Sequence, residues 1–251
     1  MIKALSIVLI LFFSLESVWA QLNAPPSLVP LLEKNYPFPE NLSTLLVPQR
    51  NFKRPACYAF IKDLQESYGS NKELQNECLL PSLVALSFYP ELKNTKIRFV
   101  LSDTKTTLAA RPRLLSLFRG RKNRSYCIFI DQAVQDQQGV LLEEMSFNAQ
   151  VGGLGHEYAH ILDYQNRSGF NVLWLGIKYL LSRKAKATLE KAVDKRTIER
   201  GLGWQALAWE YYILHQSDAS DRYKRYKENI YLAPEEILFY IHSFPIYQHI
   251  Q

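Results

Sequence analysis

The amino-acid sequence predicts an α+β fold, a small β-sheet preceding a long and mostly helical half. Three observations carry this expectation. Two short runs, Lys96–Leu101 and Ser125–Ile130, have the alternation or the aromatic and β-branched content of strands. After Gln138-Gly139, apolar residues recur three and four apart almost to the C-terminus. The strand-like and helix-like stretches fall in blocks, which argues against an alternating, doubly wound sheet.

The elements follow in chain order. Lys3 is a short positive start, Ala4–Leu15 is nearly all apolar, and Val18-Trp19-Ala20 offers small residues at the −3 and −1 positions. Residues 1–20 therefore read as a signal peptide cut after Ala20, so the protein is expected to be exported, periplasmic or secreted. The apolar core is shorter than the ~20 residues a spanning helix needs. No other run is long enough, so no spanning segment is expected after cleavage. Phe170–Leu181 is apolar but contains Lys178, and reads as a buried helix.

Residues 21–55 hold Pro25, Pro26, Pro30, Pro37, Pro39, Pro48 and Pro55, and read as an extended arm with little regular structure. The main domain is expected over 56–251. It opens with helices at Cys57–Glu66 and Lys72–Ser87, broken at Tyr68–Asn71 and ended by Pro90. A basic, mobile connection is expected between the two strands. Helix breaks are expected at Gly169, near Arg183, at Gly201–Gly203, at Ser217–Ser220 and at Ala233-Pro234.

Composition narrows the function. With 47% hydrophobic and 22% charged residues, the chain is globular in character. The net charge of +6 is mild, and its basic clusters, such as Arg119-Gly-Arg121-Lys122, come with no nucleic-acid-binding motif; no nucleic-acid partner is expected. Of the three cysteines, Cys57 and Cys78 fall in neighbouring helical segments, and in an oxidising compartment they are the favoured disulfide pair. Cys127 reads as a buried thiol, and none of the three has zinc-ligand spacing. Asn41, Asn123 and Asn166 begin glycosylation sequons, which matter only in a eukaryotic secretory route.

Two of the five histidines lie in Gly153–Tyr164, where His156-Glu157-Tyr158-Ala159-His160 fits H-E-x-x-H. On a helix, side chains at i and i+4 share a face about 6 Å apart along the axis. His156 and His160 can thus converge on one Zn²⁺, with Glu157 placed beside it as a general base. Gly152, Gly153 and Gly155 each cost roughly 1 kcal/mol against alanine in a helix. They mark either a helix start or a site of close approach by a neighbour. A hydrolytic zinc needs a third protein ligand and an open position. Downstream, Glu190 and Asp194 are again i and i+4; one carboxylate can bind the metal while the other orients a ligand histidine.

H-E-x-x-H followed on a later helix by E-x-x-x-D resembles the gluzincin metallopeptidases, among them thermolysin and the membrane proteases that process CAAX proteins. The match covers roughly Tyr126–Gly201, and the first motif is far more specific than the second. The resemblance implies a zincin-like domain with His156, His160 and Glu190 as zinc ligands. It implies Glu157 as the base and Asp194 as the partner of a ligand histidine, most naturally His156. It further implies a strand along the cleft, matched to Ser125–Ile130, to which a peptide or protein substrate adds as an extra strand. Unlike the membrane proteases this chain lacks spanning helices, and unlike thermolysin it lacks the second domain that supplies an oxyanion-stabilising histidine. It reads as a compact, exported zinc metallopeptidase.

Asp163, three residues after His160, competes for third ligand, though a helix-end or orienting role suits it better. Asp194 and Glu190 can exchange roles. Tyr211, Tyr212 and His215 are candidates for the missing oxyanion donor, set against core packing and capping. Two other classes of function stay open: a non-catalytic zinc-containing binding protein, and an envelope-associated module that docks on a partner or membrane through the proline-rich arm and basic loop.

Overall fold

The computed structural model describes residues 41–104, 106–132 and 140–250, with side-chain exposure described to residue 248. Residues 1–20 and the first part of the arm lie outside this range.

The later part of the arm is not extended. Leu42–Leu45 forms a helical turn (α1), capped by Asn41, whose side chain accepts the Thr44 N–H. Leu45 and Phe52 are buried, and the Phe52 N–H donates to Asn148 Oδ1. The prolines break helices here without keeping apolar neighbours out of the core.

Two short helices follow, α2 (Arg54–Ala59) and α3 (Ile61–Tyr68). Lys72–Ser87 is not one helix as its spacing suggested. Lys72–Glu73 pairs as strand β1, Asn76–Cys78 is a 3₁₀ turn, and only Leu79–Ser87 is α-helical (α4). Asn71, at φ 62°, turns the chain sharply before β1, and backbone pairing to the next strand wins over helical spacing.

Strands β2 (Lys96–Leu101), β3 (Leu108–Pro112) and β4 (Ser125–Ile130) complete a sheet of order β1-β2-β4-β3. The β1–β2 and β2–β4 pairs are parallel, and β3 runs antiparallel to β4. Tyr126, Ile128 and Ile130 of β4 alternate into the core, as the period of two requires. The segment expected to be a mobile basic loop thus contains a strand and two 3₁₀ turns.

The helical half begins with α5 (Phe147–Asn166), then α6 (Gly169–Leu181), α7 (Arg183–Thr197), α8 (Gly203–Tyr211), α9 (Asp221–Ile230) and α10 (Pro234–Ser243). Ser146, Ser168, Ser182 and Ser220 each cap the next helix by accepting a backbone N–H. Between α7 and α8, Ile198–Leu202 forms a π-helical turn in which Gly201 takes φ 102°, a conformation open to glycine at little cost. Helix α5 is central: α4, α7, α8 and β3 all pack on it. This is an α+β fold, mostly helical, with one four-stranded mixed sheet.

The three glycines of α5 lie within the helix, not at its start. A Cβ at Gly152 would stand 2.0 Å from the Gln205 carbonyl oxygen, and one at Gly155 would stand 2.6 Å from Leu202 Cδ1. The glycines let the α8 backbone and its lead-in approach α5 closely.

Cys57 and Cys78 are free, as is Cys127, which is half-buried. The disulfide expected between the first two is not formed. Both are buried, and burial pushes the Cys57 thiol up to about 12 and raises Cys78, whose Sγ donates to the Gln75 carbonyl at 3.6 Å.

Candidate metal centre

Helix α5 presents His156 and His160 on one face with ring centroids 4.7 Å apart. Helix α7 presents Glu190 to both. Nε2 of His156 lies 3.0 Å, and Nε2 of His160 3.1 Å, from the same oxygen, Glu190 Oε2. The three side chains are 1–6% exposed. One ligand atom from each lies within 4.8 Å of the other two, so this buried group can hold a metal ion.

The donor chemistry supports a cation. Asp194 Oδ1 lies 2.7 Å from His156 Nδ1 and accepts its proton, while Asp194 Oδ2 accepts the Leu232 N–H at 2.9 Å. A neutral His156 so oriented turns an Nε2 lone pair toward a carboxylate lone pair. That contact is repulsive unless protons or a cation stand between them. Without a cation, protons do so. Burial opposes a charged His156, but the Asp194 hydrogen bond and charge, then Glu190, outweigh it and hold the imidazole up at about 10. Burial would raise Glu190, yet the charges and hydrogen bonds of His160 and His156 hold its carboxyl well below the usual range. Donors around a tetrahedral ion with bonds of ~2.0–2.1 Å stand roughly 3.3 Å apart, close to the two contacts seen. His160 Nδ1, by contrast, is buried without a hydrogen-bond partner.

Two residues that the motifs did not single out complete the ligand support. Tyr179 of α6 donates to Glu190 Oε1 at 2.6 Å, so both oxygens of that carboxylate are engaged. Tyr164, one turn beyond His160, stacks on its ring at 5.9 Å. Trp209 and Tyr231 form a wall against His156, with ring centroids at 5.1 and 5.6 Å. Beneath that wall Lys227 Nζ pairs with Glu210 Oε2 at 3.1 Å, 4.0 Å from the Trp209 and 3.3 Å from the Tyr231 ring centroid. Tyr164 was findable from its i+4 spacing. Tyr179 had no such signal, because its link to Glu190 depends on how α6 and α7 pack.

Glu157 is buried, and its Oε2 accepts the Ala110 N–H of β3. Ser125–Ile130, the stretch matched to a substrate-binding strand, is flanked by β2 and β3 and has no open edge. The strand beside α5 is β3, which the sequence pattern did not mark because Leu108-Ala-Ala-Arg-Pro112 has neither alternation nor β-branched residues. Ala110 faces away from β4: its N–H meets Glu157 and its carbonyl accepts the Tyr164 hydroxyl at 3.5 Å.

Asp163 stands outside the cluster. It takes two contacts from Arg167, at 2.6 and 3.1 Å, and one from Arg196 at 3.2 Å, and so ties α5 to α7. The oxyanion candidates are engaged elsewhere: Tyr212 donates to the Glu144 carbonyl at 2.8 Å, and Tyr211 and His215 pack on each other.

The chain matches no protein-family model, no curated protein and no solved structure.

Proposed function

We propose that the protein is an exported zinc-dependent metallopeptidase. The observation that carries this reading is the convergence of both H-E-x-x-H imidazoles on Glu190, with the Glu157 carboxylate beside them accepting the Ala110 N–H of β3. Two imidazoles and a carboxylate suit zinc, and three protein donors match catalytic zinc sites, which keep a position open. Among the described residues the group numbers three donors.

His156, His160 and Glu190 would hold the ion. Asp194 fixes the His156 tautomer, and Tyr179 fixes Glu190. Bound zinc supplies Lewis-acid polarisation of a carbonyl and of water. Glu157 accepts the proton released as water attacks, and then donates it to the leaving amine. An extended peptide pairing along β3 at Ala110 would displace Glu157 from its N–H and the Tyr164 hydroxyl from its carbonyl.

A second reading, a non-catalytic protein that keeps zinc for structure, draws support from the burial of all five motif side chains, Glu157 included. Digestion of a peptide library with and without chelator, alongside metal analysis, separates the two. Glu157→Gln is expected to retain zinc and lose about 10²–10⁴-fold in turnover. Zinc without any chelator-sensitive cleavage by the unaltered protein would leave the structural reading. Full activity in Glu157→Gln would remove Glu157 as the base.

A further inference from the structure

Helix α6 is turned the wrong way for a helix that serves a protein core. Phe170, Leu173, Trp174, Ile177, Leu180 and Leu181 recur at helical spacing, and all six are exposed. Only Val172 of this helix is buried. The sequence expectation of a buried helix is therefore corrected: the helix is present, but its apolar stripe faces outward. Beside it lies the 3₁₀ segment Leu114–Phe118, with Leu114, Leu115 and Phe118 also exposed. The two are in close contact, since a Cβ at Gly169 would stand 2.4 Å from the Leu117 carbonyl oxygen. Exposed large apolar residues gathered on two adjoining segments of a folded protein mark an interaction site.

The charge around it points to the partner. From 104 to 130, and again from 164 to 189, the sequence contains no aspartate or glutamate. Arg113, Arg119, Arg121 and Lys122 are exposed on the first stretch, and Lys178, Arg183 and Lys184 on the second. None of these seven takes part in a salt bridge among the described residues. Lys178 lies over the Trp174 ring, Nζ 5.5 Å from its centroid, and pairs a cation with an aromatic ring amid the stripe. An outward apolar stripe with an aromatic residue, a rim of cations outside any salt bridge and no acidic residue in either stretch of sequence is the chemistry of a helix lying in the interface of an anionic bilayer. At 13 residues α6 is too short to cross one, and no described helix is long and apolar enough to do so.

We propose that α6 and the Leu114–Phe118 segment dock the protein on the surface of anionic lipid bilayers, with the stripe at the level of the headgroups and the basic rim on the lipid phosphates. The surface stands independently of the peptidase reading. It shares a helix with Tyr179, which donates to Glu190 of the candidate metal centre.

The test uses the full chain with vesicles of phosphatidylcholine alone or mixed with phosphatidylglycerol, each also made with brominated acyl chains. Trp174 is read by difference against Trp174→Phe, so that any binding through another segment is not counted. Quenching of Trp174 on the anionic vesicles is expected, with affinity at least about tenfold above that on neutral ones. The joint reversal Arg119→Glu, Arg121→Glu and Lys122→Glu, and separately Phe118→Ser with Leu181→Ser, should each cut binding by a similar factor. The substituted positions are exposed, so the fold should persist, checked by circular dichroism. Three results would overturn the proposal: no binding to anionic vesicles; binding without quenching of Trp174; or a lipid-free dimer abolished by Phe118→Ser with Leu181→Ser, which would make a second copy the occupant.

Discussion

Helices α5 and α6 are neighbours in sequence and opposites in physics. In helix α5 the stretch Ala149–Asp163 carries two histidines, a glutamate, a glutamine and an aspartate, yet it is buried without interruption. Helix α6 is apolar along almost its whole length, yet only Val172 is buried. The difference lies in partners. The histidines and carboxylates of α5 meet complementary groups: His156 meets Asp194 and Glu190, His160 meets Glu190 through Nε2, Glu157 meets the Ala110 N–H, and Asp163 meets two arginines. Gln150 donates to the carbonyls of Leu142 and Met145 and accepts from Arg54. Burial of polar groups is tolerable once their hydrogen bonds are made. The stripe of α6 has no element packed over it among the described residues. Hydropathy therefore tells which groups want company, and the neighbours tell which of them find it.

The sharpest way to test this contrast is a methyl group placed in each helix. In α5, Gly152→Ala drives a Cβ into the Gln205 backbone, which no side-chain rotation relieves. It is expected to cost more than about 3 kcal/mol by denaturant unfolding, above the usual range for an overpacked core. A loss under about 1 kcal/mol would mean that α5 and α8 separate easily.

Tyr179→Phe probes the bond that joins the two helices. Removing the donor to Glu190 is expected to weaken zinc binding by about 10–100-fold, the usual scale for groups that orient a ligand. Competition with a chelating dye measures this, and an unchanged affinity would make the contact incidental.

The pH dependence of the cation-free chain separates the helices further, since only α5 carries perturbed histidine. His156 is held at about 10 against an ordinary 6.5, so its contribution is complete below pH 6.5 and fades as pH rises to about 10. Glu190 is held well below 4.5, so its contribution is present above 4.5 and fades on acidification. Stability in chelator should therefore be greatest between about pH 4.5 and 6.5 and decline toward pH 10. Adding zinc, which requires neutral histidines, should remove the alkaline decline. A chelated protein whose unfolding free energy rises from pH 6.5 to 10 would contradict the buried His156–Asp194 contact.

Gly176→Ala closes the series. A Cβ there meets nothing within 4 Å, so alanine should stabilise by about 0.4–1 kcal/mol through reduced freedom of the unfolded chain. Destabilisation would show that α6 is covered in solution.

Much of the metal centre was legible because its key spacings are local. One helical turn relates His156 to His160 and Glu190 to Asp194, and the helical period alone places each pair on a common face. Helix ends near Gly169, Arg183, Ser217–Ser220 and Pro234 were legible for the same reason: glycine, serine and proline act on the backbone within a residue or two. The strand β3 was not legible. Its residues have weak strand preference and are held by pairing with β4 and by contact with α5.

From its sequence alone, then, this chain determined its α+β class, the bounds of most later helices and the pairing of candidate ligands within each helix, because these rest on interactions between residues close along the backbone. Only the tertiary structure decided that Glu190 meets both imidazoles while Asp163 turns to arginines. It likewise decided that Cys57 and Cys78 stay apart and that the apolar stripe of α6 faces outward. Those outcomes depend on which helices pack together and at what angle, and that is a property of the whole chain's contacts, not of any local pattern.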